Sequence, residues 1–314
     1  MVNQLCSFGP QLVQIGYLMK LVTFTAGADE RVGAVDVDRS VVFDLTDQIT
    51  AAGTSGLLGV IEKWDDLRAE LEAAVASGAG QDLDSVTLLA PLPHPVRNIF
   101  CVGKNYSEHA REFGRSGYDS PTKSEELPAT PIIFSKATTA VTGPYADVDP
   151  HHGVTAELDY EGELAVIIGR GGRGISREDA FSHVWGYTVI NDVTARDLQR
   201  EHKQWLLGKS LDTHCPMGPY AVSADEVGDV ETLEVETRVN GKVRQAAPVK
   251  DLIFDIPELM ATISAGITLL PGDVIATGTP AGVGIGFDPP RFLVSGDVVE
   301  VSITRLGSLR NRIA

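Results

Sequence analysis

The chain has 314 residues, a hydrophobic fraction of 43%, a charged fraction of 22% and a formal net charge of −17. This is the composition of an ordinary globular protein, with no run near the ~18 unbroken apolar residues of a membrane helix. The acidic balance argues against non-specific nucleic-acid binding, which needs a basic surface, but leaves a small anionic substrate open because local cations can outweigh the overall field.

Residues 1–18 lack a basic segment followed by a long apolar core, so a signal peptide is not expected there. They read as an extension ahead of a strand-first start at Met19. Cys6, Cys101 and Cys215 are odd in number and widely spaced, with no Cys-x-x-Cys pair. That pattern offers neither a disulfide framework nor a zinc site, and it fits a reducing cytoplasm. From Lys20 to about Leu45 short β-runs alternate with turns. Ile61, Trp64, Leu71 and Val75 then recur at helical spacing, which predicts an amphipathic helix over 57–76 ended by Ser77-Gly78. Three prolines at 91, 93 and 95 mark a boundary, giving a small β-rich N-terminal domain over 19–93 and a larger catalytic domain over 94–314.

Asn98 to Gly103 reads as a buried strand that turns into a short helix carrying His109 and Glu112. The polar stretch 113–128 is either a lid or disorder, and a strand follows at 131–134. The remainder is mainly strands with proline-glycine turns, so the fold class is a β-dominated α+β protein. Asp159, Glu161 and Glu163 alternate along a run that becomes apolar, so in a strand they would share one face, with Gly162 removing bulk between two of them. Asp192 ends another apolar run. Glu161, Glu163 and Asp192 together would form an oxygen-only site suited to Mg²⁺ or Mn²⁺, while a solvated acidic edge strand is the alternative on spacing alone.

Gly169-Arg170-Gly171-Gly172-Arg173-Gly174 matches a dinucleotide fingerprint. However, Ser176 and Asp179 look like the cap of a helix that starts after the last glycine, and the strand–helix alternation of a doubly wound sheet is missing. A hairpin-like loop is the simpler reading. His109 and Glu112 stand at i and i+3, where a carboxylate can orient an imidazole base; a surface ion pair is the competing account. His151-His152 falls in a loop that is solvated or covers a site mouth. For His94, His183, His202 and His214 no partner can be named.

Five ordered blocks carry a resemblance. They are Val102-Gly103-Lys104-Asn105-Tyr106, Leu158 to Ala165, Asn191 to Gln199, Gly208 to Pro219, and Gly272 to Gly284. From about Arg97 onward the chain resembles the fumarylacetoacetate hydrolase family, on the acylpyruvase and 2-hydroxyhepta-2,4-diene-1,7-dioate isomerase-like branch. The resemblance implies a mixed β-roll catalytic domain, usually a homodimer, that uses Mg²⁺ or Mn²⁺ on small 2-oxo acids. It implies metal ligation by Glu161, Glu163 and Asp192, and catalysis by His109, Glu112 and Lys209. Substrate contacts would come from Arg196, Gln199, Thr279 and Tyr106. Ala281 stands where some members carry a lysine. The leading expectation is hydrolysis of a C–C bond in an acylpyruvate-type 2,4-dioxo acid through a pyruvate enolate. Decarboxylation of oxaloacetate, isomerisation or tautomerisation of a 2-oxo-enoic diacid, and a non-catalytic metal-binding relative are the alternatives.

Overall fold

The computed structural model describes residues 19–118 and 127–314. The extension expected over 1–18 and the middle of the 113–128 segment lie outside the described residues. The N-terminal β-runs form β1 (Lys20–Ala26), β2 (Asp29–Asp36) and β3 (Val41–Asp44). After α1 (Thr46–Ala51), the helical pattern resolves into α2 (Gly56–Glu62) and α3 (Trp64–Ser77) instead of one helix. The break is at Lys63, which leaves helical geometry and donates its ammonium to the Ala52 carbonyl at 2.8 Å. Two short strands follow, β4 (Gln81–Asp82) and β5 (Thr87–Leu88), and then β6 (Ile99–Gly103), α4 (Ser107–Ser116) and β7 (Ile132–Lys136). The central stretch contributes β8 (Val141–Thr142), β9 (Asp147–Val148), β10 (Leu158–Asp159), β11 (Gly162–Ile168), β12 (Val184–Asn191) and β13 (Thr194–Ala195). Next come α5 (Arg196–His202), α6 (Leu206–Lys209), β14 (Cys215–Ser223) and α7 (Ala224–Val227). The chain closes with β15 (Glu234–Val239), β16 (Lys242–Pro248), α8 (Ile256–Ser264), β17 (Val274–Ala276), β18 (Val298–Ile303) and β19 (Gly307–Ile313).

A large mixed sheet runs in the order β4-β3-β2-β1-β14-β12-β11-β17-β6-β7, with a second sheet β16-β15-β18-β19-β9. The fold is therefore strand-rich mixed α/β with few helices. Along β11, Leu164, Val166 and Ile168 join the core shared with the second sheet. Ala165 and Ile167 join the core shared with α1, α2 and α3. A strand covered on both faces explains its unbroken apolar run. The N-terminal part does not form a core of its own. β1 pairs with β14 through Lys20↔Val222 and Leu21↔Ala221, so the N-terminal strands continue the large sheet and share its interior.

On α7, burial, with Asp225 nearby, pushes Glu226 up to about 7, and its Oε2 has no hydrogen-bond partner. The unfolded carboxyl ionises near ~4.3. The folded state is therefore penalised as pH rises from that value to 7, fully above 7 and not at all in acid. Glu226→Gln is expected to raise unfolding free energy by about 1–2 kcal/mol at roughly pH 8, after allowing for solvent screening, and by nothing near pH 4. Urea titrations at the two pH values check this.

Candidate active site

The site gathers at one end of β11 and β12. Gly162 pairs with Asn191 across these strands, and Asp192 N donates to the Glu161 carbonyl at 2.8 Å. Asn191 Oδ1 in turn accepts from Glu161 N at 3.0 Å. One carboxylate oxygen from each of Glu161, Glu163 and Asp192 lies within 4.8 Å of the others, and all three residues are buried. The solvated acidic edge is thereby ruled out. Gly162 faces the other way: a Cβ there would meet Thr237 Oγ1 at 2.1 Å, so this glycine admits the second sheet and does not separate the carboxylates. Asp159 does not join the group, because β10 ends before Glu161 and breaks the alternation. Its carboxylate accepts from Gly284 N at 2.6 Å and Arg196 Nε at 2.9 Å.

Three buried cations face these acids. Lys209 Nζ bridges Glu161 Oε2 at 2.7 Å and Asp192 Oδ2 at 2.8 Å. Arg196 Nη2 lies 2.6 Å from Glu161 Oε1, off the N–H axis, so the contact is ionic more than an aligned hydrogen bond. Lys136, which the sequence reading missed, places Nζ 2.6 Å from Asp192 Oδ1 and 3.0 Å from the Val193 carbonyl. Burial alone would raise Glu161, but Lys209 and Arg196 overcome it and hold this carboxyl down to about 2. Glu163 goes the opposite way: burial, then the Asp192 and Glu161 anions, push it well above the usual carboxylate range. Four buried carboxylates thus stand against three cations, with Glu163 the acid left over. A hard divalent cation fits that donor set, because only a further positive charge lets all three clustered acids ionise together.

The glycine-rich loop after β17 anchors three acids through backbone N–H groups. Gly278 N donates to Glu163 Oε2 at 2.8 Å, Gly284 N to Asp159, and Gly282 N to both oxygens of Glu112 at 3.0 and 3.1 Å. Held in this way, Glu112 Oε2 lies 3.3 Å from His109 Nδ1, on one face of α4. His109 is only 4% exposed, which sets the pair apart from a surface ion pair. A carboxylate at Nδ1 favours the tautomer with its proton there and leaves Nε2 as the basic nitrogen. A Cβ on Gly286 would fall 1.7 Å from Glu112 Oε1. Gly286→Ala is therefore expected to push Glu112 off its loop donor and lower kcat by about 10-fold or more, with little change in melting temperature. Steady-state rates beside a thermal melt test it.

His109, Glu161, Arg196, Gln199, Lys209 and Thr279 line one small cavity. Arg196 is spoken for by Asp159 and Glu161, and its Nη1 also donates to Gln199 Oε1 at 3.1 Å. Thr279 Oγ1 accepts from Gln245 Nε2 at 2.7 Å and donates to the Gly162 carbonyl at 3.0 Å. Tyr106 does not line this cavity; it is buried at the start of α4, and burial, with Glu163 nearby, raises its phenol. The glycine run 169–174 is a hairpin loop, since β11 and β12 pair antiparallel with no crossover helix. Ser176 and Asp179 do bond each other, at 3.0 and 3.2 Å, but a single 3₁₀ turn over 180–183 follows in place of the expected helix. Half-buried His151 bonds the Asp212 carbonyl, and exposed His152 bonds Ser295 Oγ. His214 packs against His151 and bonds the Asp149 carbonyl; burial pushes it down to about 3.

Residues 98–314 match the fumarylacetoacetate (FAA) hydrolase C-terminal family. The chain belongs to this family. Among FAA hydrolase relatives, it is 53% identical to the oxaloacetate tautomerase YisK of Bacillus subtilis over 231 residues, 74% of each chain. It is 44% identical to the mitochondrial oxaloacetate tautomerase FAHD2A of Bos taurus over 73% of this chain and 69% of that one. Of the solved structures in the family, a fumarylacetoacetate hydrolase from Exiguobacterium antarcticum shares 41% identity with a TM-score of 0.76, covering 94% of this chain and 99% of that one. A maleylpyruvate hydrolase from Sphingobium sp. SYK-6, in complex with manganese(II) and pyruvate, shares 32% identity at a TM-score of 0.75 with the same coverage. No helix among the described residues is long and apolar enough to cross a membrane.

Proposed function

We propose that this chain is a divalent-metal-dependent oxaloacetate keto–enol tautomerase. The observation that carries the reaction type is a buried imidazole–carboxylate base opening onto the same cavity as Lys209 and Glu161. Such a pair needs only to move a proton for tautomerisation, with no second substrate. Similarity to two oxaloacetate tautomerases favours oxaloacetate as the compound on which it acts. Glu161, Glu163 and Asp192 would hold Mg²⁺ or Mn²⁺. When bound, that ion supplies charge neutralisation for the 2-oxo acid end of the substrate and polarises its carbonyl.

In this reading His109 takes a proton from C3, and the C–H electron pair becomes the C2–C3 double bond. The carbonyl π pair moves onto oxygen, and the resulting negative charge is stabilised by the Lys209 ammonium. The proton then returns to that oxygen, which completes the enol. Glu112 holds the imidazole and stabilises its charged form. The test follows the ultraviolet absorbance of enol-oxaloacetate in the presence of Mg²⁺ or Mn²⁺. Acceleration well above the metal-only control is expected, and its absence removes the proposal.

C–C hydrolysis of an acylpyruvate is the second reading, favoured by the likeness to a maleylpyruvate hydrolase. There the same base would activate water, and pyruvate with a carboxylic acid would accumulate; release of carbon dioxide would instead mark decarboxylation. The metal assignment has its own check. Mn²⁺ at ~100 times its dissociation constant should stabilise the fold by about 2.7 kcal/mol, a melting shift on the order of 5 °C. Glu163→Gln should abolish that shift.

A further inference from the structure

Gln245 stands apart from its neighbours on β16. Val243, Arg244 and Ala246 are exposed or half-buried, as suits an edge strand of the second sheet, yet Gln245 is only 1% exposed. A buried amide costs free energy unless it is hydrogen-bonded, and here both ends are engaged. Oε1 accepts from Gly162 N at 3.0 Å, and Nε2 donates to Thr279 Oγ1 and to the Pro280 carbonyl, each at 2.7 Å. The amide can face only one way, because Gly162 N only donates and the Pro280 carbonyl only accepts. Thr279 Oγ1 closes the ring by donating to the Gly162 carbonyl at 3.0 Å. A bulge aims the side chain: Thr237 pairs with Gln245 and Arg238 with Val243, so β16 carries one extra residue, Arg244. Both partners of the amide bear on the site. Gly162 lies between Glu161 and Glu163, two of the three clustered acids. Thr279 and Pro280 lie in the loop whose Gly278 N holds Glu163 and whose Gly282 N holds Glu112. That loop rides directly on the bulge, since a Cβ on Gly282, where φ is +107°, would overlap the Arg244 carbonyl.

We propose that Gln245 is a positioning residue for the divalent metal, locking Gly162 to Thr279 and Pro280 so that Glu161 and Glu163 keep one fixed spacing. The inference rests on the reading of Glu161, Glu163 and Asp192 as the metal ligands. Gln245 works through the chain that carries the ligands: its bonds go to Gly162, Thr279 and Pro280, not to a carboxylate. Without the amide, Gly162 N loses its buried acceptor and the Pro280 carbonyl its donor, which the structure can relieve only by moving strand and loop apart. Glu163 belongs to both, through its place on β11 and its bond from Gly278 N, so its oxygens would shift first.

Mn²⁺ titration calorimetry on the full-length protein tests this without turnover. Gln245→Met nearly keeps the side chain's size and removes its three hydrogen bonds. It should weaken Mn²⁺ by about 10- to 100-fold, the usual cost of losing a group that orients metal ligands. The electron paramagnetic resonance spectrum of the bound Mn²⁺ should change as well, because ligand geometry sets its zero-field splitting. Val299→Ala, in the core beneath the second sheet, is the control for loosening alone. It should lower the melting temperature while leaving Mn²⁺ affinity within about 2-fold of wild type. Should Gln245→Met not fold, Thr279→Val opens the same ring from its other side and should weaken Mn²⁺ by about 10-fold. Unchanged Mn²⁺ affinity and spectrum in the folded ring variant, or an equal loss of affinity in Val299→Ala, overturns the assignment while the metal reading stands. Failure of the wild-type chain to bind Mn²⁺ removes the metal reading and this assignment with it.

Discussion

Replacing His109 by alanine should lower kcat for oxaloacetate tautomerisation by about 10²- to 10⁴-fold, the usual worth of a positioned general base. Divalent-metal affinity should change little, because His109 is not among the clustered acids and its ring nitrogen bonds Glu112 instead. Steady-state rates with enol-oxaloacetate, paired with Mn²⁺ titration, separate the two effects. Partial recovery of rate on adding free imidazole would mark a lost base more than a collapsed pocket. Glu112→Gln should cost less, about 10-fold or more, since it keeps the side chain's shape and removes only the charge that stabilises the imidazolium. Near-normal turnover in His109→Ala with the metal bound would take this residue out of the mechanism, and with it the tautomerase proposal in its present form.

Which neighbours His109 and Glu161 have is a matter of distance along the chain, whereas joining Asp192 to the two glutamates, and giving His109 and Glu112 a role, needed the family resemblance. His109 and Glu112 are one helical turn apart, and Glu161 and Glu163 are one strand repeat apart, so local periodicity already brings each pair together. The apolar runs into β11 and β12 were legible as buried strands for the same reason. Asp159 shows the limit: period two holds only while the strand continues, and the break between β10 and β11 turns it to the glycine-rich loop. That loop's work was also hidden, because backbone N–H donors to Glu163, Glu112 and Asp159 leave no side-chain signature beyond a high glycine content. The N-terminal strands looked like a separate domain because pairing of β1 with β14 joins residues about 200 positions apart, a contact no local pattern encodes. Lys136 combines both problems. It ends the run Ile132-Ile133-Phe134, where a lysine ordinarily marks a strand leaving the core, and its partner lies 56 residues downstream.

Lys136 is accordingly the place where breaking one contact should cost the most stability. Its side chain is 0% exposed and Asp192 is equally buried. Methionine nearly matches lysine in length, so Lys136→Met removes a charge with little cavity formation. Asp192 would then rely on Lys209, which already serves Glu161, and four buried acids would face two cations. Removing one partner from a buried ion pair typically destabilises by about 3–5 kcal/mol, because the remaining charge stays desolvated. The sign of the metal effect follows from the same balance. A divalent cation among Glu161, Glu163 and Asp192 supplies some of the missing positive charge, so the gap between variant and wild type should be largest in metal-free protein and narrow at saturating Mn²⁺. Urea unfolding of both proteins with and without Mn²⁺ measures all four values. A loss below about 1 kcal/mol without metal would show that Lys209 alone compensates the buried Asp192, and that the contact with Lys136 carries little of the stability.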